Sequence, residues 1–296
     1  MRYAAIDIGS NAIRLLIADI SNNNGTKSFK KNTLIRVPLR LGDEAFIHQE
    51  ISETKANDLV KTMQAFKNLM DVYKVTRYRA CATSAMREAN NGPSLVQKIK
   101  NLANINLEII NGQKEASIIY SSHIEQTLDR SKCYLYIDVG GGSTELSIFA
   151  DAQLLDSKSF NLGTIRILDN QDEDKTWTDM MQWLQENLKN YKNVIGIGTG
   201  GNINKLFKLS EEKEGKALTY SRLKTLYDYL NSFSLRDRIN VLSLNQDRAD
   251  VIIPATEIFL SVMKWANIKN LYVPKIGMVD GIIQLLIEEN EQDFLL

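Results

Sequence analysis

The chain has few of the side chains that most often build metal centres and covalent catalysts. Only two of its 296 residues are histidines, His48 and His123. A multi-histidine metal site is therefore excluded, and a Ser–His–Asp arrangement is disfavoured with it; each His reads as a surface or helix residue. Cys81 and Cys133 are its only cysteines. They lack metal-type spacing and read as buried thiols of a cytoplasmic protein. Net charge is absent too, with 36 basic and 36 acidic residues. No global field then favours nucleic acid or an anionic membrane, and a polyanionic substrate must be met by a local patch. No apolar run approaches the ~20 residues of a membrane span. The N-terminus enters a strand directly, with Asp7 and Arg14 where a leader would be apolar. There is no linker, low-complexity segment or charge block.

What the chain does have is one motif written twice. Ala5-Ile6-Asp7-Ile8-Gly9-Ser10-Asn11-Ala12-Ile13-Arg14-Leu15-Leu16-Ile17 aligns without a gap on Tyr136-Ile137-Asp138-Val139-Gly140-Gly141-Gly142-Ser143-Thr144-Glu145-Leu146-Ser147-Ile148. Each copy predicts an apolar strand ending in Asp, a turn of small residues, and a second apolar strand. Such a turn can aim several backbone N–H groups at one point and so cradle an anion. Glycine lets the backbone approach a phosphate closely, and an Asp beside it can hold a divalent cation. One copy alone is more simply a tight turn with a satisfied Asp. Two copies imply duplicated domains with the site between them, and 296 residues with 44% hydrophobic content suit two cores.

Along the chain, residues 21–31 are polar and read as a turn, and residues 33–41 as a strand. Ser52 opens a helix in which Leu59, Val60, Met63, Phe66, Leu69 and Met70 fall at helical spacing. Residues 77–82 predict a strand, Pro93 starts a helix, residues 107–110 form a short strand, and a helix begins near Gln113. Strands interleaved with helices indicate an α/β domain. The second domain begins with the strand 134–139. A strand ends at residues 160–164, residues 179–190 suit an amphipathic helix, and strand 194–197 runs into Gly198-Thr199-Gly200-Gly201 and a helix. That is a general phosphate-binding geometry without dinucleotide spacing. Residues 248–266 predict one long apolar helix, 271–274 a strand and 279–289 a final helix.

Taken in order, these pieces resemble the exopolyphosphatase / guanosine pentaphosphate phosphohydrolase family. Asp7-Ile8-Gly9-Ser10-Asn11 with Arg14-Leu15 is similar to its first phosphate loop, and Asp138-Val139-Gly140-Gly141-Gly142-Ser143-Thr144-Glu145 to its second. Ala82-Thr83-Ser84-Ala85-Met86-Arg87-Glu88-Ala89 resembles its arginine motif, and Asn111-Gly112-Gln113-Lys114-Glu115-Ala116 its catalytic-glutamate motif. Leu162-Gly163-Thr164-Ile165-Arg166, Gly198-Thr199-Gly200-Gly201 and Arg248-Ala249-Asp250-Val251-Ile252 complete the series. The resemblance implies the fold of the actin, heat-shock-chaperone and sugar-kinase superfamily. That is an α/β fold of two actin-like (ribonuclease H-like) domains, each a mixed five-stranded sheet with helices, facing across a cleft. The domains are expected at 1–125 and 126–296, with the last helix, 280–296, able to return to the first.

By the same resemblance, Glu115 orients and deprotonates the attacking water, and Arg87 binds the transferring phosphate. Asp138 and Glu145 hold Mg²⁺ or Mn²⁺, with Asp7 supporting the first loop or a water of the metal. Gly9, Ser10, Asn11, Gly140, Gly141, Gly142, Ser143 and Gly200 bind phosphate oxygens. Arg14 joins them or forms a salt bridge within the hairpin. Without the resemblance, Glu115 would be a helix-capping Glu, Arg87 a surface ion pair and Glu145 a solvated strand residue. The implied activity is hydrolysis of the terminal phosphate of polyphosphate; the alternatives are guanosine pentaphosphate hydrolysis and an idle polyphosphate or alarmone sensor. A kinase or chaperone of the superfamily does not account for Glu115 and Arg87 in their settings. The resemblance also implies homodimers. The chain departs from the family at Ala12, Asn111 and Lys114, at the segment around Asp280-Gly281 where an Arg is missing, and in lacking the further domains of long members.

Overall fold

The computed structural model describes residues 1–23, 26–121, 129, 131–151 and 153–292. The chain forms two compact units, Met1–His123 with Gly277–Leu296, and Ile124–Ile276. The expected division after residue 125 lies outside the described residues, as do His123 and the tail beyond residue 292. Among the described residues no helix is long and apolar enough to cross a membrane.

The first unit runs β1 (Arg2–Ile8), β2 (Ile13–Asn23), β3 (Thr26–Val37), α1 (Gly42–His48), α2 (Glu53–Val72), β4 (Arg77–Ala82), α3 (Ser84–Glu88), α4 (Gly92–Ala103), β5 (Leu107–Ile109) and α5 (Gly112–Tyr120). The second runs β6 (Tyr134–Val139), β7 (Thr144–Ala150), β8 (Gln153–Phe160), α6 (Thr164–Leu168), α7 (Asp174–Leu188), β9 (Ile195–Thr199), α8 (Gly201–Leu209), β10 (Leu218–Thr219), α9 (Tyr220–Asn231), α10 (Leu235–Asn240), α11 (Gln246–Ala249), α12 (Ile252–Trp265) and β11 (Asn270–Tyr272). The chain then returns to the first unit as α13 (Met278–Gln292).

Both sheets are mixed and share one plan. The first has the order β3-β2-β1-β4-β5, with β1, β2 and β3 antiparallel and β4 and β5 parallel to β1. The second has the order β10-β11-β9-β6-β7-β8, with β9 and β11 parallel to β6. It has six strands, one more than expected, because Leu218–Thr219 pair antiparallel with β11 just before α9. β1 is buried along Tyr3–Ile8, as a strand covered on both faces must be. One face of the first sheet packs Tyr3, Ala5, Leu16, Ala18 and Cys81 against Met278, Val279, Ile282, Ile283, Leu286 and Ile287 of α13. In the second unit the nearly all-buried α12 sits in the core, with Ala255, Ile258, Phe259, Val262 and Met263 fully enclosed.

Local chemistry explains where the elements start. Ser52 accepts from Lys55 N at 3.3 Å and caps α2, and Asn111 accepts from Lys114 N at 2.8 Å and caps α5. Asn111, which departs from the family, thus supplies an ordinary cap. Two expectations are corrected. Residues 21–31 are mostly strand: β2 runs to Asn23 and β3 starts at Thr26, a polar ribbon joined by pairs such as Ser21 Oγ with Ser28 Oγ at 3.0 Å. Residues 248–266 are two helices, because the Asp250 carboxylate takes Val251 N at 2.8 Å and interrupts the helical ladder.

Candidate active site

The two copies of the repeated motif fold alike down to single hydrogen bonds. Gly9 N donates to Ala12 O at 3.2 Å, and Gly140 N donates to Ser143 O at 2.9 Å. Each loop is also held from behind by the short helix that follows its third strand. In the first unit Ser10 O accepts from Gly42 N at 2.9 Å and Asn11 O from Arg40 N at 3.0 Å, at the start of α1. In the second, Gly140 O accepts from Thr164 N at 3.0 Å and Gly141 O from Ile165 N at 2.8 Å, in the first turn of α6. The orphan N–H groups of a helix start are satisfied by loop carbonyls. Carbonyl and amide of a trans peptide point opposite ways. Loop carbonyls turned toward the helix therefore turn the next amides, Gly141 and Gly142, away from it and outward.

Close packing keeps this arrangement tight. A Cβ on Gly163 would fall 2.4 Å from Gly141 O, so only glycine lets α6 approach the loop. Thr144 Oγ1 donates to Leu162 O at 2.6 Å from the other side. In the first loop the buried Ser10 hydroxyl shares a 2.7 Å hydrogen bond with the Ser84 hydroxyl of α3, which ties the loop to the arginine motif. Ala12 occupies the position of Ser143 and offers no hydroxyl.

Behind the loops the two copies diverge in charge. Asp7 is paired across the ladder with Arg14, and Arg14 Nη1 meets Asp7 Oδ2 at 2.6 Å, with Asp7 almost fully buried. The equivalent pair in the second unit is Asp138 with Glu145. Two carboxylates then stand where the first unit has an acid and a base, and one oxygen of each lies within 4.8 Å of the other. Like charges directly opposite on a sheet face are destabilising. Ser159 Oγ donates to Glu145 Oε1 at 2.8 Å and fixes its direction. Gly200, at φ +95°, leaves room for Asp138: a Cβ there would lie 2.6 Å from Asp138 Oδ1. An oxygen-only pair held this way fits a hard cation such as Mg²⁺ or Mn²⁺.

Glu115 lies in the first turn of α5, buried, with its N–H on Asn111 O at 3.0 Å. Arg87, in the last turn of α3, donates from Nη1 to Ile110 O at 2.9 Å, beside the Asn111 cap. Arg87 is thereby brought to the start of the Glu115 helix. That helix is seated on α13: a Cβ on Gly281 would fall 1.7 Å from Ile118 O. Next to it the buried Asp280 accepts from Gly277 N at 3.0 Å and pairs with Lys31 Nζ at 2.6 Å. Burial, the largest influence, pushes the Asp280 carboxyl above its usual range despite that lysine.

The sequence motifs contained Arg166, Gly163 and Ser84 but gave them no role at the loops, and Ser159 lay outside every motif. Arg166 carried a signal, a lone charge between Leu162 and Leu168, and it is 7% exposed with Nε on Gly142 O at 2.6 Å. Arg248 Nη1 donates to Gly201 O at 3.1 Å and braces the start of α8.

Comparison with known proteins adds the family. The family described as the Ppx/GppA phosphatase family matches residues 20–289. A bifunctional 3-dehydroquinate synthase/phosphatase of Fusobacterium nucleatum is 27% identical over an alignment of 291 positions that covers 88% of this chain and 43% of the relative. A guanosine-5'-triphosphate,3'-diphosphate pyrophosphatase of Aliivibrio fischeri is 22% identical over 98% of this chain and 60% of its own length. The chain thus spans about half the length of these relatives. The solved structure of an exopolyphosphatase from Cytophaga hutchinsonii is similar in fold, with a TM-score of 0.83, 23% identity and 98% of both chains covered.

Proposed function

Since the chain belongs to the Ppx/GppA phosphatase family, we propose that it is a phosphoanhydride hydrolase that removes the terminal phosphate of inorganic polyphosphate. The observation that carries this reading is the Gly140–Ser143 loop, held so that its Gly141 and Gly142 amides turn away from α6, beside the Asp138 and Glu145 carboxylates. Cleaving a phosphoanhydride calls for positioning and charge neutralisation more than covalent help, and the residues divide along those lines.

Ser10, Asn11, Gly141, Gly142 and Ser143 bind phosphate oxygens through backbone amides; Gly9 and Gly140, whose own amides close the loops on Ala12 O and Ser143 O, let the chain approach the phosphate, and Gly200 keeps the space beside Asp138 clear. A divalent cation held by Asp138 and Glu145 supplies positive charge to the phosphate oxygens. Glu115 accepts the proton of the attacking water. The new O–P bond forms at the terminal phosphorus as the anhydride bond breaks, releasing orthophosphate and a chain one unit shorter. Arg87 neutralises charge on the transferring group. Asp7, already neutralised by Arg14, supports the first loop.

The test is phosphate release from long polyphosphate, tripolyphosphate, guanosine pentaphosphate and ATP, with and without Mg²⁺ or Mn²⁺. Polyphosphate is expected to be the preferred substrate. Glu115→Gln is expected to lower kcat by roughly 10²–10⁴-fold, the usual contribution of a general base, with binding retained. Faster turnover of guanosine pentaphosphate would transfer the reading to the nucleotide. No release from any substrate, with binding intact, would make the chain a sensor and void the role of Glu115.

A further inference from the structure

The second phosphate loop has three consecutive carbonyls facing α6, and the third is held differently from the others. Gly140 O and Gly141 O take main-chain N–H groups of Thr164 and Ile165. Gly142 O takes the side chain of Arg166, whose Nε lies at 2.6 Å. In the ungapped repeat Gly142 corresponds to Asn11, and Asn11 O is held by the main-chain N–H of Arg40 at 3.0 Å. Both units therefore restrain the carbonyl at this position, one with backbone and the other with a guanidinium. Arg166 N is already directed at Gly141 O, at 3.4 Å, so α6 has no further amide for Gly142.

We infer that Arg166 is a positioning residue for phosphate binding: by holding Gly142 O it aims the Ser143 N–H into the cradle. Gly142 O and Ser143 N–H belong to one trans peptide, so restraining one direction sets the other. Arg166 does not touch substrate in this account. At 7% exposure its side chain is enclosed, with Nε on Gly142 O. A charge-assisted hydrogen bond is the strong class of such contact, and without it the Gly142–Ser143 peptide is free to rotate between hairpin and helix. The inference rests on the phosphohydrolase reading for its purpose, since an aimed amide matters only if phosphate oxygens arrive there.

The experiment has two arms. In the first, inorganic phosphate is titrated into ¹⁵N-labelled wild type and the Gly141, Gly142 and Ser143 amides are followed. All three are expected to shift together. A Ser143 amide that stays still while the glycines move overturns the inference, with no variant needed. In the second arm Arg166→Met, which lacks a donor, is compared with Arg166→Gln, which keeps a donor without the charge. Arg166→Met is expected to weaken phosphate binding and raise KM by roughly 10–100-fold, the range for losing a hydrogen bond to a charged group, with a much smaller change in kcat. Arg166→Gln is expected to restore most of that loss. Wild-type KM in Arg166→Met, or Arg166→Gln as impaired as Arg166→Met, overturns the inference. A wild type that binds phosphate but releases none from polyphosphate defeats the hydrolase reading alone, because phosphate binding by Arg166→Met and Arg166→Gln still decides the role of Arg166.

Discussion

Replacing Glu145 with Gln should make the metal-free protein more stable, although it removes a proposed metal ligand. Asp138 and Glu145 face each other across β6 and β7, with oxygens within 4.8 Å. At an effective dielectric of about 20, two unit charges at that distance repel by about 3.5 kcal/mol. Asp138 is partly exposed, and solvent reduces this to about 1–3 kcal/mol. Gln keeps the shape and still accepts from Ser159 Oγ, so the 2.8 Å hydrogen bond survives. In a unit of this size 1 kcal/mol moves Tm by about 2–4 °C. In EDTA, Glu145→Gln should therefore melt about 3–10 °C above wild type. Millimolar Mg²⁺ should raise the Tm of wild type and leave the variant nearly unmoved. Scanning calorimetry reads both. A variant that melts below wild type in EDTA, and gains as much from Mg²⁺, would refute the idea that this carboxylate pair stores repulsion for a cation.

Two further outcomes are expected. Gly281→Ala puts a Cβ 1.7 Å from Ile118 O and must push α13 off α5. It should destabilise by about 1–3 kcal/mol, as overpacking does, and lower kcat with it because α5 carries Glu115; unchanged urea midpoint and turnover would show that the two helices do not depend on this contact. Burial pushes the Cys81 thiol up to about 12 and the Cys133 thiol up to about 11, from an ordinary value of 9.0. The folded state then keeps protons that the unfolded state gives up, so this stabilisation is complete below pH 9 and falls as pH rises toward 12. At pH 8 both thiols should resist a disulfide reagent in the native state and react at once in guanidinium; prompt native labelling would contradict their enclosure.

Much of this architecture was legible in the sequence because its signals were carried by side chains or by glycine. The repeat Asp7–Ile17 and Asp138–Ile148 predicts two equivalent hairpins, and the structure even repeats their closing hydrogen bond. The cap at Ser52 and the apolar spacing along α2 were readable for the same reason. The helices α1 and α6 were not, because their work at the loops is done by main-chain amides of Arg40, Gly42, Thr164 and Ile165, which leave no residue signature. Arg166 was visible as a residue but not as a partner of Gly142, a contact 24 positions back in the chain. The β2–β3 ribbon was misread because Phe29 is the one large apolar residue in 21–31, too few to mark an alternation. The ungapped repeat already set Arg14 in the first hairpin where the second has Glu145, and the strand register places them opposite Asp7 and Asp138.

The first unit is not continuous along the chain, and this bears on the order in which the protein can be made. The apolar face formed by Tyr3, Ala5, Leu16, Ala18 and Cys81 is covered by α13, residues Met278–Gln292. A ribosome finishes the whole of Ile124–Ile276 before that cover exists. The second unit, a single uninterrupted stretch, can close while the first still shows a bare sheet face. Nascent chains should therefore be most prone to stick to chaperones or to one another in that interval, and synonymous changes that slow translation near residues 270–290 should lengthen it.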